Sequence, residues 1–268
     1  RATPSASSSP APGAAGSRRP RLGLLWPPQR RLHLRAGPAD GRTDSGPEAG
    51  ASSGADSSDA PLRLFVAVTL GQAVRSGLGS IGERLRAEHQ GAAERVKWVD
   101  PSLMHLTLKF LGSVDGNGLE RLQEALPGAA ASAVEPFTLA LAQGGVFWRR
   151  KLPAVLFVGV PKEGGGRPQF LELAKAVDDA CLQAGFEPEK RPAKPHVTFG
   201  RAKRPKKGDD KGSQAELKLL GETLEALQLQ EPLCEEVLEV ALMRSVLRPE
   251  GPQYTVLETW PLVAQANS

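Results

Sequence analysis

The sequence contains few of the features that mark a disulfide-stabilised, membrane-spanning or base-stacking protein. Its 268 residues include two cysteines, one tyrosine and only 5% aromatic residues. Cys181 and Cys234 have no Cys-x-x-Cys spacing and lie in segments typical of a core, so we expect two reduced core thiols. No apolar run approaches the roughly 18 residues that a membrane helix needs, so no membrane partner is expected. The low aromatic content also argues against an extended platform for stacking RNA bases.

An excess of positive charge is also missing from the part of the chain that is expected to fold. The net charge is +4, but residues 1–60 hold eight arginines and no lysine against five acidic residues. Residues 61–268 therefore carry 26 basic and 25 acidic residues. The basic character belongs mainly to the N-terminal segment and does not by itself indicate a nucleic-acid partner.

The N-terminal segment differs in composition from the rest of the chain. Residues 1–39 contain seven arginines, many Ser, Ala and Pro, and no acidic residue, which is typical of an organellar transit peptide. A disordered leader without a targeting role fits the same composition. Residues 40–60 are a polar Gly/Ser/Asp linker. We expect a leader and linker over 1–60 and one domain over 61–268, located in a chloroplast or mitochondrion if the leader is a transit peptide and in the cytoplasm otherwise.

From Pro61 onward the pattern alternates between strands and helices. Apolar and β-branched runs predict strands at 62–68, 104–111, 137–142, 154–160, 195–200, 237–243 and 254–260. Apolar stripes predict helices at 74–85, 119–126 and 170–184, and a capping box at Ser213-x-x-Glu216 predicts the start of another. This order indicates an α+β protein of two halves, each with a sheet and helices on one side.

Two copies of a His-x-Thr motif are the most distinctive feature of the sequence: His105-Leu106-Thr107 and His196-Val197-Thr198. The chain has only four histidines, so chance seldom places two of them in the same pattern. Because residues i and i+2 of a strand face the same way, each motif presents an imidazole and a hydroxyl together. The same alternation predicts that Lys109 shares the face of His105. The opposite face would carry apolar side chains, at Met104, Leu106, Leu108 and Phe110.

The residue types in these motifs suit the opening of a cyclic phosphodiester. Histidine titrates near neutral pH, so one imidazole can take a proton from water while the other donates one to the departing ribose oxygen. The hydroxyls of Thr107 and Thr198 can donate to the phosphate oxygens, and Arg201 and Lys109 can add positive charge. No cluster with metal-ligand spacing occurs, so we expect neither a metal nor another cofactor.

The motifs and their surroundings resemble the two-histidine (2H) phosphoesterases, and in particular the RNA 2′,3′-cyclic phosphodiesterases, also called 2′-5′ RNA ligases. The resemblance covers about residues 61–263. It rests on Arg63–Val68, Val96–Val99, His105–Gly112, Pro195–Arg201, Ser245 and Gly251–Tyr254. Of these, the His-Leu-Thr-Leu-x-Phe-Leu-Gly block is the most specific.

The resemblance implies a bilobal fold, with two antiparallel sheets facing a central cleft and helices outside. It implies that His105 is the general acid and His196 the general base, that the 3′ oxygen leaves, and that a 2′-phosphomonoester remains. It places Arg201 near the phosphate and Phe65 near the cleft. By strand parity Arg201 would face away from His196, so the strand must twist or end before it. Phe199-Gly200 departs from the more usual Leu-Ala.

Three functions remain open at this stage. The first is hydrolysis of RNA 2′,3′-cyclic phosphate ends. The second uses the same site on a small cyclic phosphate, such as that of ADP-ribose or a nucleotide. The third is a nucleotide-binding module without catalysis, against which the intact motifs argue. The basic loop 202–212 either holds an RNA backbone or is solvated and disordered, and the near-neutral domain is expected to be a monomer.

Overall fold

The computed structural model describes residues 60–204 and 211–264. The leader, the linker and the compartment expected from them concern residues 1–59, which lie outside the described part, as does 205–210 of the basic loop. None of the helices in the described ranges is both long and apolar enough to cross a membrane.

Nine strands and five α-helices make up the described residues. The strands are β1 (Leu62–Thr69), β2 (Val96–Trp98), β3 (His105–Val114), β4 (Phe137–Arg149), β5 (Leu152–Gly159), β6 (His196–Ala202), β7 (Gln228–Val237), β8 (Glu239–Leu247) and β9 (Pro252–Pro261). The helices are α1 (Gln72–Glu88), α2 (Gln90–Ala93), α3 (Gly116–Ala133), α4 (Arg167–Gln183) and α5 (Lys211–Glu225). Every strand predicted from the sequence is present, with ends shifted by a few residues or, for β4, extended.

All strand pairs are antiparallel, and the expected α+β class is confirmed. The strand order is β7-β4-β5-β6-β3-β1-β8-β9, with β2 also paired to β6. The two expected sheets correspond to β7-β4-β5-β6 and β3-β1-β8-β9. They are continuous with each other, because Leu106 of β3 pairs with Val197 of β6. Among the described residues this is the only ladder pair between the two halves.

The helices cover the sheet and leave the site surface open. Helix α4 packs on β3 and against α3, while α3 also contacts β9. Helices α1, α2 and α5 cover the other half, with α5 on β4 and β5. One large core lies beneath these helices. On the other face is a small separate cluster formed by Phe65, Ala67, Ala241 and Met243.

Several local predictions are wrong for identifiable reasons. Helix α3 is long, not short, because an alanine-rich run carries it through Pro127. The edge strand β7 was not predicted, since most of its side chains are exposed and it lacks an apolar alternation. Helix α5 contains Ser213, so Ser213 is not its N-cap. Cys181 is a buried free thiol as expected, but Cys234 is exposed because it lies on β7.

Candidate active site

The two His-x-Thr motifs meet at their middle residues. Leu106 and Val197 pair across β3 and β6, and both side chains are fully buried on the helix side. The residues that flank them in each motif therefore project to the opposite, open face. In a regular antiparallel ladder, His105 and His196 would be diagonal neighbours, roughly 7–8 Å apart. The pairing thus brings both imidazoles and both hydroxyls to one place.

Both imidazoles are held in the same way. Nδ1 of His105 donates to the carbonyl oxygen of Leu103 at 2.8 Å, and Nδ1 of His196 donates to that of Lys194 at 2.6 Å. A carbonyl oxygen only accepts, so in each ring Nδ1 carries the proton and Nε2 is left for another partner. Each histidine is thus fixed in one tautomer by the carbonyl two residues earlier.

Each histidine also lies between two aromatic rings. The His105 ring is 4.8 Å from Phe65 and 5.3 Å from Tyr254, measured between centroids. The His196 ring is 5.0 Å from Phe147 and 5.1 Å from Phe157. These contacts half-bury the imidazoles and restrict their rotation. The chain has few aromatic residues, but it concentrates them here.

The resemblance predicts Phe65 at the cleft, but nothing in the sequence analysis predicts Phe147 or Phe157 there. A sequence signal for Phe157 exists. The segment Leu64–Val68 reads Leu-Phe-Val-Ala-Val and the segment Leu156–Val160 reads Leu-Phe-Val-Gly-Val. Each precedes its His-x-Thr motif at almost the same spacing, and each forms the strand beside that motif. The two halves of the domain therefore resemble each other in sequence beyond the two motifs.

A bulge in β6 returns Arg201 to the face of His196. Thr198 pairs with Phe157 and Gly200 pairs with Leu156, which leaves Phe199 as an extra residue. The extra residue reverses the alternation of faces along the strand. Arg201 therefore faces the same way as His196, although strict alternation predicts the opposite. The bulge also explains Gly200, because a Cβ at that position would lie 2.8 Å from Cγ1 of Val96.

A bulge in β3 has the opposite effect on Lys109. Thr107 pairs with Ala67 and Lys109 pairs with Val66, so Leu108 is extra. Lys109 is 2% exposed, forms an ion pair with Asp178 of α4 and donates to the carbonyl oxygen of Glu187 at 2.7 Å. The prediction that Lys109 shares the face of His105 is therefore wrong.

The same phase change moves Phe110 out of the core. Phe110 pairs with Phe65, on the face that carries His105. Its side chain is 61% exposed, and its ring centroid is 6.2 Å from that of Phe65. The predicted core position for Phe110 is wrong, and the sheet presents an accessible aromatic ring beside the site.

The electrostatic environment lowers the pKa of both histidines. Burial is the largest cause in each case, and the hydrogen bond to the preceding carbonyl partly offsets it. The charge of Arg201 lowers the pKa of His105, of His196 and of Tyr254, although burial raises the Tyr254 pKa on balance. Arg201 therefore acts on both motifs at once, as a cation suited to an anion bound between them.

A groove of about 920 Å³ extends from the motifs along β4 and α4. Thr107 and His196 line its inner end. Phe110, Phe147 and Trp148 provide aromatic surface, and Lys190, Arg191 and Lys194 provide positive charge. The volume is within the range of nucleotide-sized ligand sites.

Residues 73–157 match the family model described as LigT like Phosphoesterase. The chain is 33% identical over 201 residues to an RNA 2′,3′-cyclic phosphodiesterase of Methanothermobacter thermautotrophicus, covering 75% of this chain and 99% of the relative. An enzyme of the same name from Archaeoglobus fulgidus is 30% identical, with 74% and 99% covered. A crystal structure from Thermus thermophilus superposes with a TM-score of 0.58 at 29% identity, covering 76% of this chain and all of that one.

Proposed function

The chain belongs to the family of LigT-like phosphoesterases that includes the RNA 2′,3′-cyclic phosphodiesterases, and we propose that it opens the cyclic phosphate with His105 and His196. Cyclic phosphate hydrolysis is the activity for which its relatives are named. The observation that carries the residue assignment is the matched pair of imidazoles, each tethered through Nδ1 with Nε2 free. Two such groups facing one cleft can serve as acid and base in a single displacement.

In the proposed step, Nε2 of His196 takes a proton from a water molecule whose oxygen attacks the phosphorus. The bond between phosphorus and the ribose 3′ oxygen breaks, and Nε2–H of His105 protonates that oxygen. One water is consumed, and the product is a 2′-phosphomonoester. Both histidines return to their starting states by exchanging one proton with solvent.

The remaining motif residues stabilise the charge that develops on phosphate. Within the described residues, neither the Thr107 nor the Thr198 hydroxyl has a protein partner, so both are available to donate to non-bridging oxygens. Arg201 supplies a full positive charge from the same face. Phe65 and Phe157 pack against the imidazoles and limit access of bulk water. No metal is needed, because the chain itself supplies the acid, the base and the counter-charge.

The test uses the chain in EDTA with an RNA ending in a 2′,3′-cyclic phosphate. His105→Asn and His196→Asn are each expected to lower kcat at least about 100-fold. His89→Asn, the same change at the end of α1, is the matched control and should leave kcat unchanged. Full turnover by either motif variant would refute the assignment.

Product analysis and a second substrate distinguish the alternatives. A 2′-phosphate end resists a phosphatase specific for 3′-phosphates. Faster turnover of ADP-ribose cyclic phosphate than of RNA would favour a small-nucleotide enzyme. Nucleotide binding without turnover would favour the non-catalytic module.

A further inference from the structure

The hairpin between β4 and β5 turns through two residues that are unfavourable for such a turn. Arg149 pairs with Leu152, and the turn residues Arg150 and Lys151 have φ of 48° and 66°. Two positive φ values define the tight hairpin turn in which Asn-Gly is strongly preferred, because most side chains disfavour that backbone. Within the described residues these are the only non-glycine positions with positive φ. Strained backbone of this kind is characteristic of functional positions.

The turn borders a basic pocket that is separate from the active-site groove. The pocket has a volume of about 450 Å³. Its walls are the apolar residues Leu152, Pro153 and Leu217 and four cations: Arg149, Arg150, Lys203 and Arg204. No carboxylate is among these described lining residues. Next to Arg149 in the chain, Nε1 of Trp148 donates to the carboxylate of Glu225 at 2.7 Å.

Strand β6 connects this basic pocket with the active site. The strand runs from His196 past Thr198 and Arg201, and the chain then continues to Lys203 and Arg204. Arg204 lies six positions after Thr198, so the extended chain between them spans at most about 20 Å. A stacked nucleic-acid strand rises roughly 3.4 Å per nucleotide, so about six nucleotides span that distance.

We propose that the basic pocket binds backbone phosphates of RNA about six nucleotides upstream of the cyclic end. This inference rests on the proposed function, because it takes the 3′ end of the same strand to lie between His105 and His196. It makes the substrate a single-stranded RNA and not a free nucleotide. The turn holds the charge of Arg150 at the wall of this pocket in spite of its unfavourable backbone conformation.

The test variant is Arg150→Asn/Lys151→Gly, which removes both charges and installs the residues that the turn favours. We expect a higher Tm, because strain is relieved. For a 12-nucleotide RNA with a cyclic end, kcat/KM should fall about tenfold at low salt. The slope of log Kd against log salt for that RNA should decrease by about 0.7, since Arg150 is the one substituted residue that lines the pocket and each phosphate contact contributes roughly 0.7 on single strands. For a dinucleotide with a cyclic end, kcat/KM should not change.

Lys162→Glu is the matched control. It changes the net charge by two, as the turn variant does, but at an exposed residue that follows the opposite end of β5. It should leave the 12-nucleotide substrate unaffected. Unchanged kcat/KM and salt slope in the turn variant, or equal losses on the 12-mer and the dinucleotide, would overturn the pocket assignment. An equal loss of affinity for polyglutamate would show a general anion surface and would also overturn it.

The two proposals fail separately. If the wild type turns over neither substrate, the proposed function fails, and the Kd of fluorescently labelled 12-mer still tests the pocket. If both substrates are turned over but the turn variant binds the 12-mer normally, only the pocket assignment fails.

Discussion

Leu106 and Val197 pair with each other where β3 and β6 meet, and the histidine and threonine of each motif flank that pair. The arrangement on one side is repeated on the other. Each half contributes a Leu-Phe-Val-x-Val strand, a His-x-Thr strand, two aromatic rings around the imidazole and a carbonyl that fixes its tautomer.

The pH dependence of the reaction should reflect the lowered pKa of both histidines. One imidazole must be neutral and the other protonated, so a plot of kcat/KM against pH is expected to be bell-shaped. The two pKa values that it yields describe the coupled pair and not one histidine each. Because burial lowers both pKa values below the ordinary value of about 6.5, the maximum is expected below pH 6.5. Rates measured from pH 4 to 9 would test this. A maximum above pH 7 would contradict it.

Replacing Arg201 should change both the rate and the pH profile. Its charge lowers the pKa of His105 and of His196, so Arg201→Gln raises both values and moves both limbs to higher pH. Loss of a charged hydrogen bond to phosphate should also reduce kcat/KM roughly 10- to 100-fold. Lys97→Gln, opposite Arg201 on β2, is the control and should leave the limbs in place. A rate loss with unmoved limbs would argue against coupling of Arg201 to the histidines.

Gly145 should be required for the position of Phe157. A Cβ at Gly145 would lie 2.4 Å from the Phe157 ring, which in turn packs against His196. Gly145→Ala is therefore expected to displace the ring and lower kcat at least about tenfold. Gly82→Ala provides the control, since no atom lies within 4 Å of its added Cβ. Equal kcat for the two variants would show that the ring does not help to hold the imidazole.

Lys109 should matter for stability, because it is buried and paired. Lys109→Met leaves the Asp178 carboxylate without its cation, which typically costs about 3 kcal/mol or more. Denaturant unfolding measures the loss. The double variant Lys109→Met/Asp178→Asn should recover at least half of it, and Lys175→Met, in an exposed pair on the same helix, should change stability little. A loss for Lys109→Met no larger than that for Lys175→Met would contradict the role of the buried pair.

Phe110 is expected to stack on a base of the substrate. Its ring is exposed beside Phe65, and base–aromatic stacking contributes about 1–3 kcal/mol per base. Phe110→Ala should therefore raise KM roughly 5- to 150-fold with little change in Tm. Phe110→Trp should retain the wild-type KM. An unchanged KM for Phe110→Ala would place the base elsewhere.

The sequence predicts the elements and the two motifs well because period-two alternation and apolar stripes survive in it. It fails where a strand gains one residue. The bulges at Leu108 and Phe199 each reverse the alternation of faces, so strict alternation places Lys109 and Phe110 on the wrong faces and turns Arg201 away from His196. The sequence of one strand does not show where a bulge lies, because a bulge is two residues of that strand opposite a single residue of its partner. The carbonyl tethers and the ring of Phe147 likewise depend on neighbours that the sequence does not reveal.

The identical tethering of the two imidazoles has a consequence for regiochemistry. Both His105 and His196 donate from Nδ1 to a backbone carbonyl oxygen, so this hydrogen bond does not determine which of them is the acid and which the base. With His105 as the proposed acid, the ribose oxygen that faces it is expected to depart, and a ribose bound in the reverse sense would give the other phosphate isomer from the same residues. The choice of isomer therefore belongs to the groove that orients the sugar and base, and not to the pair that moves the protons.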